Sequence, residues 1–186
     1  MNTGKTITYR RIFKQALTGQ GIVQELMQFI FFSELLRPSP SVWIVSPWIS
    51  NVEILNNQSG NFDVINPEWR RRNIRVIDLC LQIATNGTKL YVVTKKGEEH
   101  NEKFLKQLRG EGRSTGLISR IKIIEHKNLH RKGIVTGSGS LSGSMNITYN
   151  GFKIEDQEIT YYTDKQDIAS ATDAFETDYL DGDIHE

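Results

Sequence analysis

The chain has a single cysteine, Cys80, in 186 residues, so no intrachain disulfide can form and no cysteine cluster for zinc exists. A reducing, cytoplasmic setting is expected. Charge of one sign is also missing: the formal net charge is +1, so no global field draws the chain toward nucleic acid or membrane. Any anion site must therefore be local. A long hydrophobic run is absent as well. The most apolar stretch, Gly21 to Leu36, is interrupted by Gln24, Glu25 and Gln28 and is shorter than the roughly 20 residues a bilayer needs. The opening MNTGKTITYRR is polar and basic, unlike a signal peptide, so no membrane association is expected. What remains is ordinary. With 38% apolar and 24% charged residues, a single globular domain over 1–186 can bury its own core.

Periodicity predicts helices over 10–19 and 21–36, which make residues 1–40 an N-terminal helical elaboration. In the second helix Ile22, Leu26, Phe29 and Ile30 share a face that Val23, Met27 and Phe31 broaden. Pro38 and Pro40 break the chain, and SVWIVS, Ser41 to Ser46, reads as a buried strand. Pro47 to Pro67 reads as a long loop, a kind of segment that often carries function. A helix is expected from Glu68 to Ala84, ended by Asn86-Gly87. Further strands are expected at Lys89–Thr94, Arg120–His126, His130–Gly137 and Glu158–Thr163, and helices at Glu98–Arg109 and Asp164–Leu180, the last capped by Asp164. Residues 181–186 read as a flexible acidic tail. Alternating strands and helices imply the α/β class, a mixed β-sheet flanked by helices on both faces.

The stretch NLHRKGIVTGSGSLSGSMN concentrates chemistry. On a strand from Leu129 to Val135, His130 and Lys132 point one way and Leu129 and Arg131 the other. An imidazole beside an ammonium suits a phosphate: Lys132 brings positive charge and His130 a nucleophile or proton carrier. Ser142, Ser144 and Asn146 follow at period two, and Gly137, Gly139 and Gly143 permit close backbone approach. A plain linker explains the glycines and serines but not the His-x-Lys before them. A nucleotide-binding P-loop fails, because no Gly-Lys-Ser/Thr follows the glycines.

His130-x-Lys132 followed by Gly143-Ser144-x-Asn146 resembles the His-Lys-Asp signature of the phospholipase D superfamily, and SVWIVSPWIS resembles that family's first core strand and exit loop. The resemblance spans about Ser41 to Thr163. It implies a phospholipase D-like fold and metal-independent chemistry without a cofactor. In that chemistry one histidine attacks phosphorus, a second histidine protonates the leaving oxygen, and Lys132 and Asn146 bind the non-bridging oxygens. Glu158 would fix the tautomer of His130, and Ser144 would contact phosphate or hold the loop. Only one copy of the motif is present, which implies a homodimer with an active site shared across a two-fold axis. The family's aspartate should fall at 137, where this chain has Gly137.

Arg70, Arg71, Arg72 and Arg75 form a basic run that is either a solvated face or a DNA-contacting patch, with Lys95, Lys96 and Lys127 as further candidates. Trp48 is expected to pack in the core rather than line a cleft. His100 and His185 read as solvent-exposed and His126 as structural, with no metal site. The expected function is a phosphodiesterase that cleaves nucleic acid, DNA first, in bacterial DNA modification or defence, with defence-complex proteins as partners. The alternatives are an inert or partner-dependent nucleic-acid binder, for which Gly137 argues, and a phospholipid-acting enzyme.

Overall fold

Ser41–Val45 is buried on both sides: Val42 and Ile44 face one layer, Trp43 and Val45 the other. A strand of this kind belongs in the middle of a sheet covered on both faces. The structure, a computed structural model, describes residues 9–14 and 20–181. Within them the strands are β1 Tyr9–Lys14, β2 Ser41–Val45, β3 Glu53–Leu55, β4 Ile74–Arg75, β5 Lys89–Lys95, β6 Ile121–His126, β7 Gly133–Thr136, β8 Gly139–Gly143 and β9 Gln157–Tyr162. The helices are α1 Gln20–Leu36, α2 Val76–Thr85, α3 Glu99–Ser114, α4 Tyr149–Lys153 and α5 Lys165–Glu176.

Seven strands form one mixed sheet in the order β1-β9-β8-β7-β2-β5-β6. β2, β5 and β6 run parallel, joined by crossovers through α2 and α3. β7, β8, β9 and β1 are antiparallel to their neighbours. One face is covered by α1, α2 and α3, which bring Met27, Phe31, Leu79, Ile83 and Phe104 to the larger core. The other is covered by α5 and the turn after it, where Phe175 and Tyr179 pack on Trp43, Val45, Val93 and Val135. Trp43 stacks on Tyr91, with ring centroids 4.1 Å apart. The mixed sheet with helices on both faces agrees with the α/β expectation.

Four local expectations fail. Residues 10–14 are not helical but belong to an edge strand, because Ile12 and Lys14 are buried while Tyr9, Arg11 and Phe13 face out, a period of two. The N-terminal segment is therefore part strand, and 15–19 lie outside the described residues. In α1 the inward face is Val23, Met27, Ile30 and Phe31, while Ile22 and Phe29 remain exposed. The helix over Glu68–Ala84 starts only at Val76. Asn66 caps a short 3-10 turn, Arg70 and Arg71 take left-handed backbone (φ 46° and 57°), and β4 pairs with β3 before α2 begins. The Pro47–Pro67 loop contains β3. Asp164 does cap α5, accepting from the Gln166 amide at 2.8 Å. The expected tail 182–186 lies outside the described residues.

Cys80 is fully buried in α2, and burial pushes its thiol up to about 12. The folded state thus resists thiol ionisation. As pH rises through the unfolded thiol's range, roughly 8.5, the unfolded chain loses its proton and the folded chain keeps it, so stability falls. The native thiol should be inert to a disulfide reagent at about pH 8 and react only as fast as the protein opens in urea. Urea titrations should show wild type losing ground to Cys80→Ala as pH climbs from about 8 to about 11; parallel stability curves would contradict the burial argument.

Candidate active site

Strand register gathers the motif segments at one end of the sheet. Val45 at the end of β2 pairs with Gly133 at the start of β7, Gly133 with Ser142 near the end of β8, and Gly143 with Ile159 near the start of β9. The stretches 46–50, 127–132 and 144–148 therefore leave or enter the sheet at the same end as Gln157.

A small polar latch holds these stretches. The Ser46 hydroxyl donates to Trp48 O at 2.7 Å and accepts from the Ile147 amide at 3.1 Å. Ser50 N donates to Ile147 O at 2.8 Å, and Ile49 bridges to Ile147. Asn101, buried in the first turns of α3, accepts from Ile49 N at 2.9 Å and donates to Pro47 O at 2.8 Å and Thr94 Oγ1 at 2.6 Å. The exit of β2 is thereby pinned to Asn146-Ile147 on one side and to β5 and α3 on the other.

Asn146 is 6% exposed, and its side-chain carbonyl has no hydrogen-bond partner. A buried amide left short of partners is costly unless something else meets it. It lines a cavity of about 370 Å³ with Trp48, Ser50, His100, Thr148 and Tyr149. Trp48 is thus on the cleft rather than in the core, because Ile49, bridged to Ile147, takes the inward position and its neighbour Trp48 faces out. His100, expected to be merely solvated, hydrogen-bonds Ser50 Oγ through Nε2 at 2.8 Å and faces the same cavity. Its place is set by a crossover contact that no local pattern reveals.

β7 starts only at Gly133, so His130 and Lys132 stand on the loop before the strand, not on the strand itself. The alternation still holds in part. Leu129 packs in the α5-side core, and the Arg131 guanidinium lies over the Phe175 ring at 5.6 Å while bonding Asp178. His130 is exposed, and among the described residues its imidazole makes no hydrogen bond or ion pair. Lys132 Nζ donates to His130 O at 2.9 Å and lines a groove under α5 with Ser140, Ser142 and Tyr162, not the cavity of Asn146.

Ser144 acts as a loop holder. Its hydroxyl donates to Gln157 Oε1 at 2.5 Å and accepts from Glu158 N at 3.1 Å, while its own amide donates to Glu158 O. This requires glycine at 143, where a Cβ would overlap Glu158 O. The expected bond between Glu158 and His130 is not made. The pleat of β9 buries Gln157 and turns Glu158 outward, where Arg11 of β1 binds its carboxylate. Gln157 was missed, though the alternation of Gln157, Ile159 and Tyr161 carried the signal. β1 also supplies Lys14, 2% exposed, whose Nζ donates to Glu155 O at 2.6 Å and Gly151 O at 3.3 Å. Burial lowers its pKa. Lys14 thereby ties α4 and the turn into β9 to the sheet edge.

The basic run is not a helix start, and most of it is neutralised. Arg70 pairs with Glu68, Arg72 with Asp78 and Arg75 with Glu53. The Arg71 amide donates to Asp63 and its side chain is exposed. Lys95 bonds Glu98 at 2.6 Å and, with the Trp48 side chain as a lesser contributor, holds that carboxyl below its ordinary range. Lys96 is exposed at the end of β5. His126 sits edge-on to Tyr179, and among the described residues no three His, Cys, Asp or Glu are placed to hold a metal.

Gly137 follows the last residue of β7 and so lies at the opposite end of the strand from His130 and Lys132. A Cβ there would sit 2.6 Å from Ser39 Cβ. The backbone amide of Gly137 donates to Glu34 Oε2 at 3.2 Å, and the same buried carboxylate accepts from Ser39 N at 2.7 Å. Helix α1 thus brings a carboxylate to the place where the motif would carry its own. Gly137→Asp should cost about 2–3 kcal/mol in urea unfolding, from overpacking against Ser39 and repulsion with Glu34. Adding Glu34→Gln should relieve only the repulsive part; a neutral or stabilising Gly137→Asp would contradict this account.

Residues 41–179 match the family described as cardiolipin synthase, PLD-like domain. No curated protein sequence matches the chain. Among solved structures, Nuc of Salmonella typhimurium, a phospholipase D family member, superposes with a TM-score of 0.57 at 9% identity over 91% of each chain. NucT from Helicobacter pylori gives 0.54 at 14% identity, over 91% of this chain and 93% of that one. Polyphosphate kinase from Porphyromonas gingivalis gives 0.60 at 13% identity, over 94% of this chain but 26% of that one. At such identities these likenesses are of fold alone. The family match covers well over half the chain, and with the sheet and the motif segments at its one end, the protein belongs to the phospholipase D-like family.

Proposed function

We propose that the protein is a metal-independent phosphodiesterase that cleaves nucleic acid, DNA first, through a covalent phosphohistidine at His130. The observation that carries this reading is the place of Asn146: its side-chain amide, whose NH2 can donate to a phosphate oxygen, lines an open cleft at the same sheet end as His130 and Lys132. A ring nitrogen of His130 attacks phosphorus, an N–P bond forms, and the bond to the leaving oxygen breaks. The His130 of a second copy gives that oxygen its proton, then takes one from the water that releases the phosphohistidine. Lys132, turned from its own backbone contact at His130 O, and Asn146 bind the non-bridging oxygens as charge builds. Ser144 and Gln157 hold the loop that carries Asn146. Glu158, engaged by Arg11, is left out of the chemistry.

A homodimer follows from the single motif, since one chain supplies one such histidine. Support for nucleic acid over lipid comes from the fold likeness to Nuc and NucT, which match this chain along nearly its whole length. Among the described residues no helix is long and apolar enough to cross a membrane. The exposed Arg71 and Lys96 are further phosphate contacts, and Arg70, Arg72 and Lys95 join them by exchanging their carboxylates for phosphate. The Ser46-to-Ser50 segment resembles that of DpdK, the phospholipase D-like protein associated with 7-deazaguanine DNA-modification clusters. This supports a role in bacterial DNA modification or defence beside partner proteins. The inert-binder reading drew on Gly137, and it loses that support because Gly137 lies away from the motif end of the sheet.

Wild type should cut single- or double-stranded DNA in excess EDTA, and His130→Ala should lose at least about a thousandfold in rate. Equal cutting by both proteins would overturn the nucleophile, and loss of all cutting with EDTA would overturn metal independence. The dimer has its own measurement: sedimentation at micromolar concentration should give twice the chain mass, and a monomer that still cuts would remove the shared site.

A further inference from the structure

The cleft beside Asn146 has walls that phosphate chemistry does not use. Trp48 and Tyr149 line it and remain 44% and 63% exposed. Both stand on fixed backbone. The Trp48 carbonyl is held by Ser46, and the next amide by Asn101. Tyr149 opens α4, where Thr148 Oγ1 accepts from Gly151 N at 3.2 Å and Lys14 grips the carbonyl of Gly151. Aromatic faces mounted this way are stacking platforms.

Between them the cleft offers polar groups: the Ser50 and His100 pair, Thr148 and Asn150. Its one carboxylate is Glu155, and no lysine or arginine lines it. Such a cavity offers phosphate no cation and suits a flat, uncharged ring with donors and acceptors on its rim. The adjoining cavity of about 540 Å³ shares Ser50 and His100 and has the opposite character, with Arg75 and Lys103 in its lining. The aromatic cleft, with the Asn146 amide in its lining, thus adjoins a cationic basin, as bases adjoin phosphates along a nucleic acid strand.

We propose that this cleft stacks an unpaired nucleobase of the strand whose phosphate is held at Asn146, with the next phosphate in the Arg75–Lys103 basin. The proposal rests on the nucleic-acid reading above and narrows it to single-stranded or locally opened substrate. A duplex keeps its bases stacked on one another and cannot fill the cleft unless a base is flipped out.

The test is a binding titration on the full chain carrying His130→Ala, so that no strand is cut. Of the three tryptophans, Trp43 and Trp69 are buried, so a change in fluorescence reports Trp48. A short single strand should quench that emission, while a strand of abasic sugars with the same phosphates should not. Trp48→Ala and, independently, Tyr149→Ala should each weaken single-strand binding roughly tenfold and leave duplex binding unchanged, with unaltered thermal melts. No quench together with equal affinity for intact and abasic strands overturns the base cleft while leaving the nucleic-acid reading standing. Equal losses on single strand and duplex in both variants also overturn it. Absence of binding to either form overturns both readings together.

Discussion

Asn101 is the interaction on which the site depends. Its amide satisfies the Ile49 amide, the Pro47 carbonyl and the Thr94 hydroxyl, three polar groups from two sheet strands' exits, in a place closed to water. Leaving the Ile49 amide unmet would cost about 1–3 kcal/mol, more than most of the surface ion pairs in the chain contribute, while Pro47 O would keep Thr94 Oγ1 and Lys95 N as donors. With Ser46 tied to Ile147, the latch fixes where Trp48, Ser50 and Asn146 stand relative to one another. A parallel strand pair needs such a device. Its exits are long loops rather than tight turns, and loops acquire a defined shape only when their backbone groups are satisfied individually.

Residues 9–14 and 20–40 lie before the matched family region, yet they are built into the sheet around the site. Arg11 occupies the carboxylate of Glu158, Lys14 grips the turn between α4 and β9, and Glu34 meets the amide of Gly137. These contacts join sequence positions more than a hundred residues apart. The segment acts as a strap whose charges are spent inward. Lys14 carries its ammonium into a nearly closed environment, where burial lowers its pKa, and two carbonyl oxygens offset part of that cost.

The strand positions were legible because β2, β5, β6 and β9 carry β-branched and aromatic residues in short runs, and the motif was legible because His130, Lys132, Gly143, Ser144 and Asn146 lie close in sequence. β1 was misread because its alternation covers only six residues and merges into a helical-looking pattern. Glu158 was assigned to the site by the resemblance, but the pleat of β9 turns it outward and buries the neutral Gln157 instead. Ser50, His100 and Tyr149 could not be found in sequence. They meet only through the crossover from β5 to α3 and through the cap of α4, and neither contact leaves a local pattern.

Charge decides what kind of binding such a surface supports. The net charge is +1, and Arg70, Arg72, Arg75 and Lys95 are already paired with carboxylates. A nucleic acid arriving here releases few counterions, because each of these cations must first give up a partner. Non-specific electrostatic affinity is therefore small, and contacts that do not depend on salt carry a larger share. On the proposed reading, stacking on Trp48 and Tyr149 and a hydrogen bond from the Asn146 amide NH2 would be contacts of that type. Under the proposed function, a surface built so would hold a strand by its bases at one defined register and would place one phosphate at the sheet end where His130 stands, instead of sliding along the backbone charge of any duplex.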